Sequence, residues 1–167
     1  MRFNYSAFKA IYLHEMDRFK RTLMQSLLSP VLSTSLYFIV FGSVIGGYVE
    51  KIDGISYGSY IVPGLLMLTL LTQSITNTSF GIFFPKFNGT IYEILAAPIS
   101  TLEIVLAFVG AGATKTLIVG VVIFITANFF VEVDVKYPLL VVFLLMLVAF
   151  TFALFGFLIG LMSSNFE

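Results

Sequence analysis

The sequence predicts an all-α membrane protein, an amphipathic N-terminal interfacial helix followed by four transmembrane helices. Composition is the first reason. Of 167 residues 59% are hydrophobic and 11% charged, with a mean hydropathy of +1.02, whereas soluble domains carry roughly 25% charged residues. Charge spacing is the second. Four stretches hold at most one charge over a length sufficient to cross a hydrocarbon core of roughly 30 Å, for which about 20 helical residues suffice. The third is the absence of alternation in runs such as Leu139-Leu140-Val141-Val142-Phe143-Leu144-Leu145. A barrel strand alternates over about ten positions, while a helix satisfies its own backbone in lipid. A soluble globular domain, a disordered segment and a nucleic-acid binder are excluded. Lys plus Arg equals Asp plus Glu at 9 each, so net charge selects no partner. With no Cys and one His, disulfide frameworks, Cys-rich zinc sites, thiol nucleophiles and C-x-x-C-H haem attachment are excluded too.

Residues 1–167 read as a single transmembrane domain. In the first 28 residues Tyr5, Phe8, Tyr12, Met16, Phe19, Leu23 and Leu27 recur at spacings of three and four, with His14, Asp17, Arg18 and Arg21 mostly between them. That is an amphipathic helix with a basic face, suited to the cytoplasmic leaflet or to docking a cytoplasmic partner. The first span is expected at 29–49, opening at Ser29-Pro30, because Pro fits the first helical turn. The second is expected at 59–84, where Pro63-Gly64 predicts a kink or a late helix start after an extended Tyr60-Ile61-Val62, and Pro85 marks the end. The third runs over 102–130 and the fourth over 138–162, opening at Tyr137-Pro138. Arg2, Lys9, Arg18, Lys20 and Arg21 precede the first span, whereas the loops around Lys51 and Lys136 are poor in cations. The positive-inside rule then places the N-terminus, the 86–101 loop and the end of the fourth span in the cytoplasm. The first apolar run is not a cleaved signal peptide, since a long polar stretch precedes it and no small-residue cleavage site follows. Trp is absent, leaving Tyr37, Tyr48, Tyr57, Tyr60 and Tyr137 as interface anchors.

Three further features bear on function. The 86–100 loop carries two capping-box patterns, Thr90 with Glu93 and Ser100 with Glu103, separated by Pro98. A short helix with apolar contacts from Ile91, Ile94 and Leu95 is expected, either as a plain connector or as a rigid lever that a partner can grip. Within the second span Thr69, Gln73, Thr76 and Asn77 share a face, for helix–helix hydrogen bonding or a substrate path. Lys115 is the one charge inside a span. It is expected to snorkel to the cytoplasmic interface, or else to face a protein cavity or a carboxylate elsewhere in the assembly, and it joins Thr69, Gln73, Thr76 and Asn77 as a candidate for a substrate path or a helix interface. Gly112, Thr116 and Gly120 around it suit close helix packing. There is no Walker-type G-x-x-x-x-G-K-[ST] motif, no His–Asp pair for nucleophilic catalysis and no metal-ligating cluster around His14, which reads as solvated. No catalytic residue and no metal site are expected.

The order of these parts is itself informative. An amphipathic helix leads into Leu36-Tyr37-Phe38-Ile39-Val40-Phe41-Gly42, the second span opens with Tyr60-Ile61-Val62-Pro63-Gly64-Leu65, and a capped loop follows with Gly89-Thr90, Glu93, Leu95 and Pro98. Over essentially its whole length the chain resembles the ABC-2 type permease family, membrane subunits of ABC exporters in the bacterial inner membrane. The resemblance implies that the helix near 5–27, with Arg18, Lys20 and Arg21, is a connecting helix against an ATPase. It also implies that 88–98, with Gly89, Thr90, Glu93, Leu95 and Pro98, is the coupling helix. Two permeases would work with two ATP-binding subunits that hold the ATP and Mg, with no cofactor on this chain. Family permeases have six spans and this sequence has four, so it is expected to be a fragment of a six-span protein. A membrane enzyme acting on lipids would need clustered His, Asp or Cys at an interface, which is absent. A non-catalytic four-helix scaffold or regulator shares the hydropathy profile but does not require the capped loop.

Overall fold

The structure, a computed structural model, describes residues 3–42, 51–52, 54–131, 133 and 135–163. Within them are six α-helices: α1 (Tyr5–Arg21), α2 (Leu23–Tyr37), α3 (Tyr57–Phe87), α4 (Ile91–Ala96), α5 (Thr101–Phe130) and α6 (Pro138–Met162). A π-helical turn, Phe38–Gly42, extends α2, and a two-residue antiparallel ladder pairs Lys51 with Ser56 and Ile52 with Ile55. Four segments are long and apolar enough to cross a membrane: Leu23–Phe41, Tyr57–Phe87, Thr101–Phe130 and Pro138–Met162. The all-α membrane fold is therefore as the composition requires.

The prolines behave differently from expectation. The first span starts at Leu23 rather than at Ser29-Pro30, Pro30 lies inside α2, and the end expected at residue 49 lies outside the described residues. The break comes instead at Thr22, whose hydroxyl donates to the carbonyls of Arg18 and Phe19 at 3.3 Å each, competing with the helical ladder. The apolar residues from Leu23 onward then wind without interruption, because membrane helices tolerate the single N–H that a proline removes. For the same reason α3 runs unbroken through Pro63 and Pro85 to Phe87. Tyr60-Ile61-Val62 is helical rather than extended, since the Ser56 hydroxyl accepts the Ser59 N–H at 3.2 Å and starts the helix well before Pro63. Of the tyrosine anchors, Tyr60 and Tyr137 are exposed and Tyr37 stacks on Phe41, while Tyr48 lies outside the described residues.

The two capping boxes part company. Ser100 and Glu103 form theirs in full: the Ser100 hydroxyl accepts the Glu103 N–H at 3.3 Å, and the Glu103 carboxylate accepts the Ser100 N–H at 2.9 Å. Thr90 and Glu93 do not, because Thr90 already has helical φ and ψ of −62° and −19° and makes no side-chain cap. Gly89, at φ +79°, turns the chain out of α3 in the left-handed region. An N-cap needs the extended backbone that Ser100 has and Thr90 lacks. Ala97, before Pro98, is extended and stops α4.

The bundle packs on small residues. Lipid supplies no hydrophobic drive between helices, so close backbone approach must. On α6 Ala149, Ala153, Gly156 and Gly160 are buried and face α3. A Cβ at Gly156 would lie 2.5 Å from the Ile75 carbonyl oxygen, and one at Gly160 would lie 2.6 Å from that of Ser79. The Ser74 hydroxyl crosses this seam to the Ala149 carbonyl at 3.1 Å. On α5 the stripe anticipated at Gly112, Thr116 and Gly120 is buried; Gly112 admits Thr78 and Gly120 admits Leu70. Lys86, in the last turn of α3, donates to the carbonyls of Leu161 and Ser163 at 2.7 and 2.8 Å and so caps α6. The other side of α6, including Leu139, Phe143, Leu147, Phe155 and Leu158, is exposed and apolar, as a lipid-facing or partner-facing side must be.

Two alanine substitutions test this seam. Each gains about 1 kcal/mol of helix propensity over glycine, but Gly64 has open space around it and Gly156 has backbone. Gly64→Ala should leave the thermal midpoint in detergent unchanged or raised. Gly156→Ala should lower stability by roughly 1–3 kcal/mol through overpacking. Equal midpoints for the two variants would remove the close-packing account.

Candidate functional site

The polar chemistry of the bundle collects where α1 meets α5. The Asn4 side chain caps α1 by accepting the Ala7 N–H at 3.2 Å, and the Asn4 N–H donates to the Glu103 carboxylate. Glu103 thus serves two helix starts, its own and that of α1. From there the contacts climb in step. The Tyr12 hydroxyl meets Thr114 at 3.0 Å, Glu15 meets Lys115, and Phe19 packs on Val119 and Ile123. The amphipathic helix therefore lies lengthwise along α5, in the same direction, and α2 continues past it after the Thr22 break.

Lys115 does not snorkel. Its side chain is 4% exposed, and its Nζ lies 2.7 Å from Oε2 of Glu15, itself 2% exposed. The Arg18 guanidinium reaches the same oxygen at 2.9 Å. Snorkelling was the wrong expectation because α1 brings a carboxylate to the lysine, which removes the cost of several kcal/mol that drives a lone charge to the interface. A Cβ at Gly81 of α3 would lie 3.4 Å from Glu15 Oε2, so a glycine there lets α3 close over the triad. Glu15 Oε1 is buried and makes no hydrogen bond among the described residues. The sequence did carry a signal for Glu15: it falls between Ile11 and Phe19 on the inward stripe of α1, where an unpaired carboxylate is too costly. Which cation it meets depends on how α1 lies along α5, which spacing along one helix does not tell.

The other anticipated residues separate into groups. Of Arg18, Lys20 and Arg21, only Arg18 turns into the bundle. Lys20 pairs with Asp17 at the exposed surface at 3.0 Å, a pair worth little in water; its hydrogen bond and charge hold the Asp17 carboxyl below the usual range. His14 is exposed, as expected. On α3, Thr69 and Gln73 line one cavity of about 290 Å³ with Ser33 and Thr34 of α2. Thr76 and Asn77 line another, of about 150 Å³, with Arg18, Thr22, Ser26 and Lys115. The structure thus brings Lys115 to Thr76 and Asn77 but not to Thr69. Ser74 and Thr78, the hydroxyls that α3 buries most completely, face α6 and α5 and were not singled out in the sequence.

The loop element has two sides. Ile91, Ile94 and Ile99 pack against the core of Ile82, Ile104, Phe108 and Val109. Tyr92, at 73%, and Leu95, at 62%, stand exposed with Glu93 and Pro98. Thr90 is also exposed, and Gly89 supplies the turn. A six-residue helix is thereby fixed on its inner side to α3 and α5 and presents an apolar outer side.

A buried ion pair costs most when half of it is removed. Glu15→Gln or Lys115→Met alone should destabilise the protein by about 3–5 kcal/mol, and the double variant should regain most of that loss. Unfolding in detergent measures all three; additive losses would deny the coupling.

The ABC-2 type transporter family profile matches residues 6–167. The inner membrane transport permease YadH of Escherichia coli strain K12 is 37% identical over 161 residues, which cover 96% of this chain and 63% of that protein. The YadH proteins of E. coli O157:H7 and Shigella flexneri match to the same extent. The chain thus spans less than two thirds of the length of these curated relatives. No solved structure matches. With four helices among the described residues long and apolar enough to cross a membrane, and a family match along nearly all of its length, the chain belongs to the ABC-2 type transporter family.

Proposed function

We propose that this chain is a permease subunit of an ABC exporter in a bacterial inner membrane, with its N-terminus cytoplasmic. A separate ATP-binding subunit would carry the ATP and Mg. Two copies of the permease would form the path. The observation that carries this reading is α4. It is short, fixed on one side to the ends of α3 and α5, and apolar on the other at Tyr92 and Leu95. An exposed apolar side next to a polar turn is the chemistry of a protein contact. A push on α4 would pass through Ile91 and Ile94 into two spans at once. Gly89, Thr90, Glu93, Leu95 and Pro98 would be the contact and turning residues. Arg18, Lys20 and Arg21 would lie on a connecting helix, with the exposed Lys20 and Arg21 placed to meet the ATPase. Thr69, Gln73, Thr76 and Asn77 are the candidate path residues, facing the cavities beside α2.

The test uses the permease coexpressed with its ATP-binding subunit. Leu95→Asp should reduce copurification at least about tenfold, the scale of losing one buried apolar anchor. Gly89→Trp puts a side chain into a left-handed backbone at a cost of about 1–2 kcal/mol. It and Glu93→Ala should lower permease-stimulated ATP hydrolysis without changing membrane insertion. Unchanged copurification and hydrolysis in all three variants would overturn the assignment.

A further inference from the structure

The cavity of about 150 Å³ at the junction of α1, α2, α3 and α5 is unlike the others in what lines it. Arg18, Thr22, Ser26, Thr76, Asn77 and Lys115 contribute a guanidinium, an ammonium, an amide and three hydroxyls, beside the rings of Phe19 and Phe80. Among the described residues no carboxylate lines it. Glu15 sits behind it and takes both cations on a single oxygen, at 2.7 and 2.9 Å. That leaves one positive charge in excess. An ammonium has three donors and a guanidinium five, so most of their N–H groups remain for another acceptor. Lys115 is 97% buried, with its side chain 4% exposed. Thr22 has given its hydroxyl proton to the Arg18 and Phe19 carbonyls and Asn77 one amide N–H to Gln73 Oε1 at 3.4 Å, but a cation held so deeply with spare donors, beside the Ser26 and Thr76 hydroxyls and the second amide N–H of Asn77, is a built site for an oxyanion.

Size and depth narrow the ligand. The volume equals that of about five waters, enough for a tetrahedral oxyanion but not for a sugar or a nucleotide. Arg and Lys together favour phosphate, which offers more acceptor oxygens than a carboxylate. α5 is 30 residues long and a hydrocarbon core takes about 20 of them; with the far boundary at Phe130 the near one falls by Ala111, and Lys115 then lies about one turn inside it. Headgroup phosphates lie just outside that boundary, and Phe80, 46% exposed at the rim, offers an apolar exit for an acyl chain.

We propose that this pocket binds a phosphate group, carried by an anionic phospholipid or present as the free ion. The proposal does not rest on the transport reading. Its mechanical consequence follows from Thr22, which breaks the chain between α1 and α2 and also lines the pocket. An occupant would hold both helices against α3 and α5 across that break.

The full chain in neutral detergent micelles is titrated with dioleoylphosphatidylglycerol, with dioleoylglycerol and with sodium phosphate, while thermal unfolding is followed. Phosphatidylglycerol should raise the midpoint and dioleoylglycerol, the same tails without phosphate, should not. Arg18→Gln should weaken the apparent affinity at least about tenfold, as expected for a charge-assisted hydrogen bond. Asn77→Leu, which leaves the ion pair intact, should weaken it several-fold, and Lys9→Gln, an exposed α1 cation outside the pocket, should not. Stabilisation by sodium phosphate that the same two variants lose assigns the site to the free ion; a response to the lipid alone assigns it to a headgroup. The proposal is overturned if no phosphate compound raises the midpoint. It is equally overturned if Arg18→Gln and Asn77→Leu respond as the parent does, or if Lys9→Gln loses as much as they do.

Discussion

A lysine inside a membrane-spanning helix has to find an anion, and much of this structure follows from where it finds one. Lys115 meets Glu15, and Glu15 sits on the N-terminal helix rather than on another span. That pairing turns α1 from a surface element into a strip laid along α5, tied at one end by Asn4 to Glu103 and at the other by Phe19 to Val119 and Ile123. Arg18 joins the same carboxylate, and Gly81 leaves room for it under α3. A buried pair is weak evidence for stability, since apolar residues of similar volume often do as well. Its attested use is to fix register, and here it fixes how far α1 lies along α5.

The remaining helices solve a different problem. In lipid, Leu and Phe gain nothing by leaving the surrounding tails, so they face outward on α6 and the seam is made of Ala and Gly. The Ala149–Ala153–Gly156–Gly160 side admits the α3 backbone itself, and the Ser74 hydroxyl and Lys86 ammonium spend their donors on α6 carbonyls. The same economy appears at the caps. Ser100 and Glu103 satisfy each other, and the spare carboxylate oxygen takes the first N–H of the neighbouring chain segment.

These two arrangements meet at α4. Its inner isoleucines rest on Ile82, Ile104 and Phe108, in the core that α3, α5 and α6 build. Displacement of the short helix therefore bears on both spans to which it is joined. In the proposed exporter this is where work would enter. The polar pocket at the α1–α2 break lies beside Phe19, which packs on Val119 and Ile123, and has Lys115 and Asn77 in its wall, so its occupancy would stiffen the side of the bundle away from the α3–α6 seam.

The amino-acid sequence by itself determined the class of fold, the number of apolar spans in this stretch and most of the extent of the last three, because charge-free runs of sufficient length have one stable backbone solution in lipid. It also determined the Ser100–Glu103 cap, the amphipathic side of α1 and the small-residue stripe on α5, all of which depend on spacing along one helix. Tertiary structure decided what depends on two helices. Lys115 could be recognised as costly, but its partner stands 100 residues away on a helix that looked peripheral. Thr90 could be recognised as a potential cap, but Gly89 took over the turn. Pro30 and Pro63 looked like boundaries by soluble-helix rules, yet they lie inside helices whose flanking residues have no water to turn to. Thr69, Gln73, Thr76 and Asn77 share a face by spacing, and only the position of α2 divides them between two cavities.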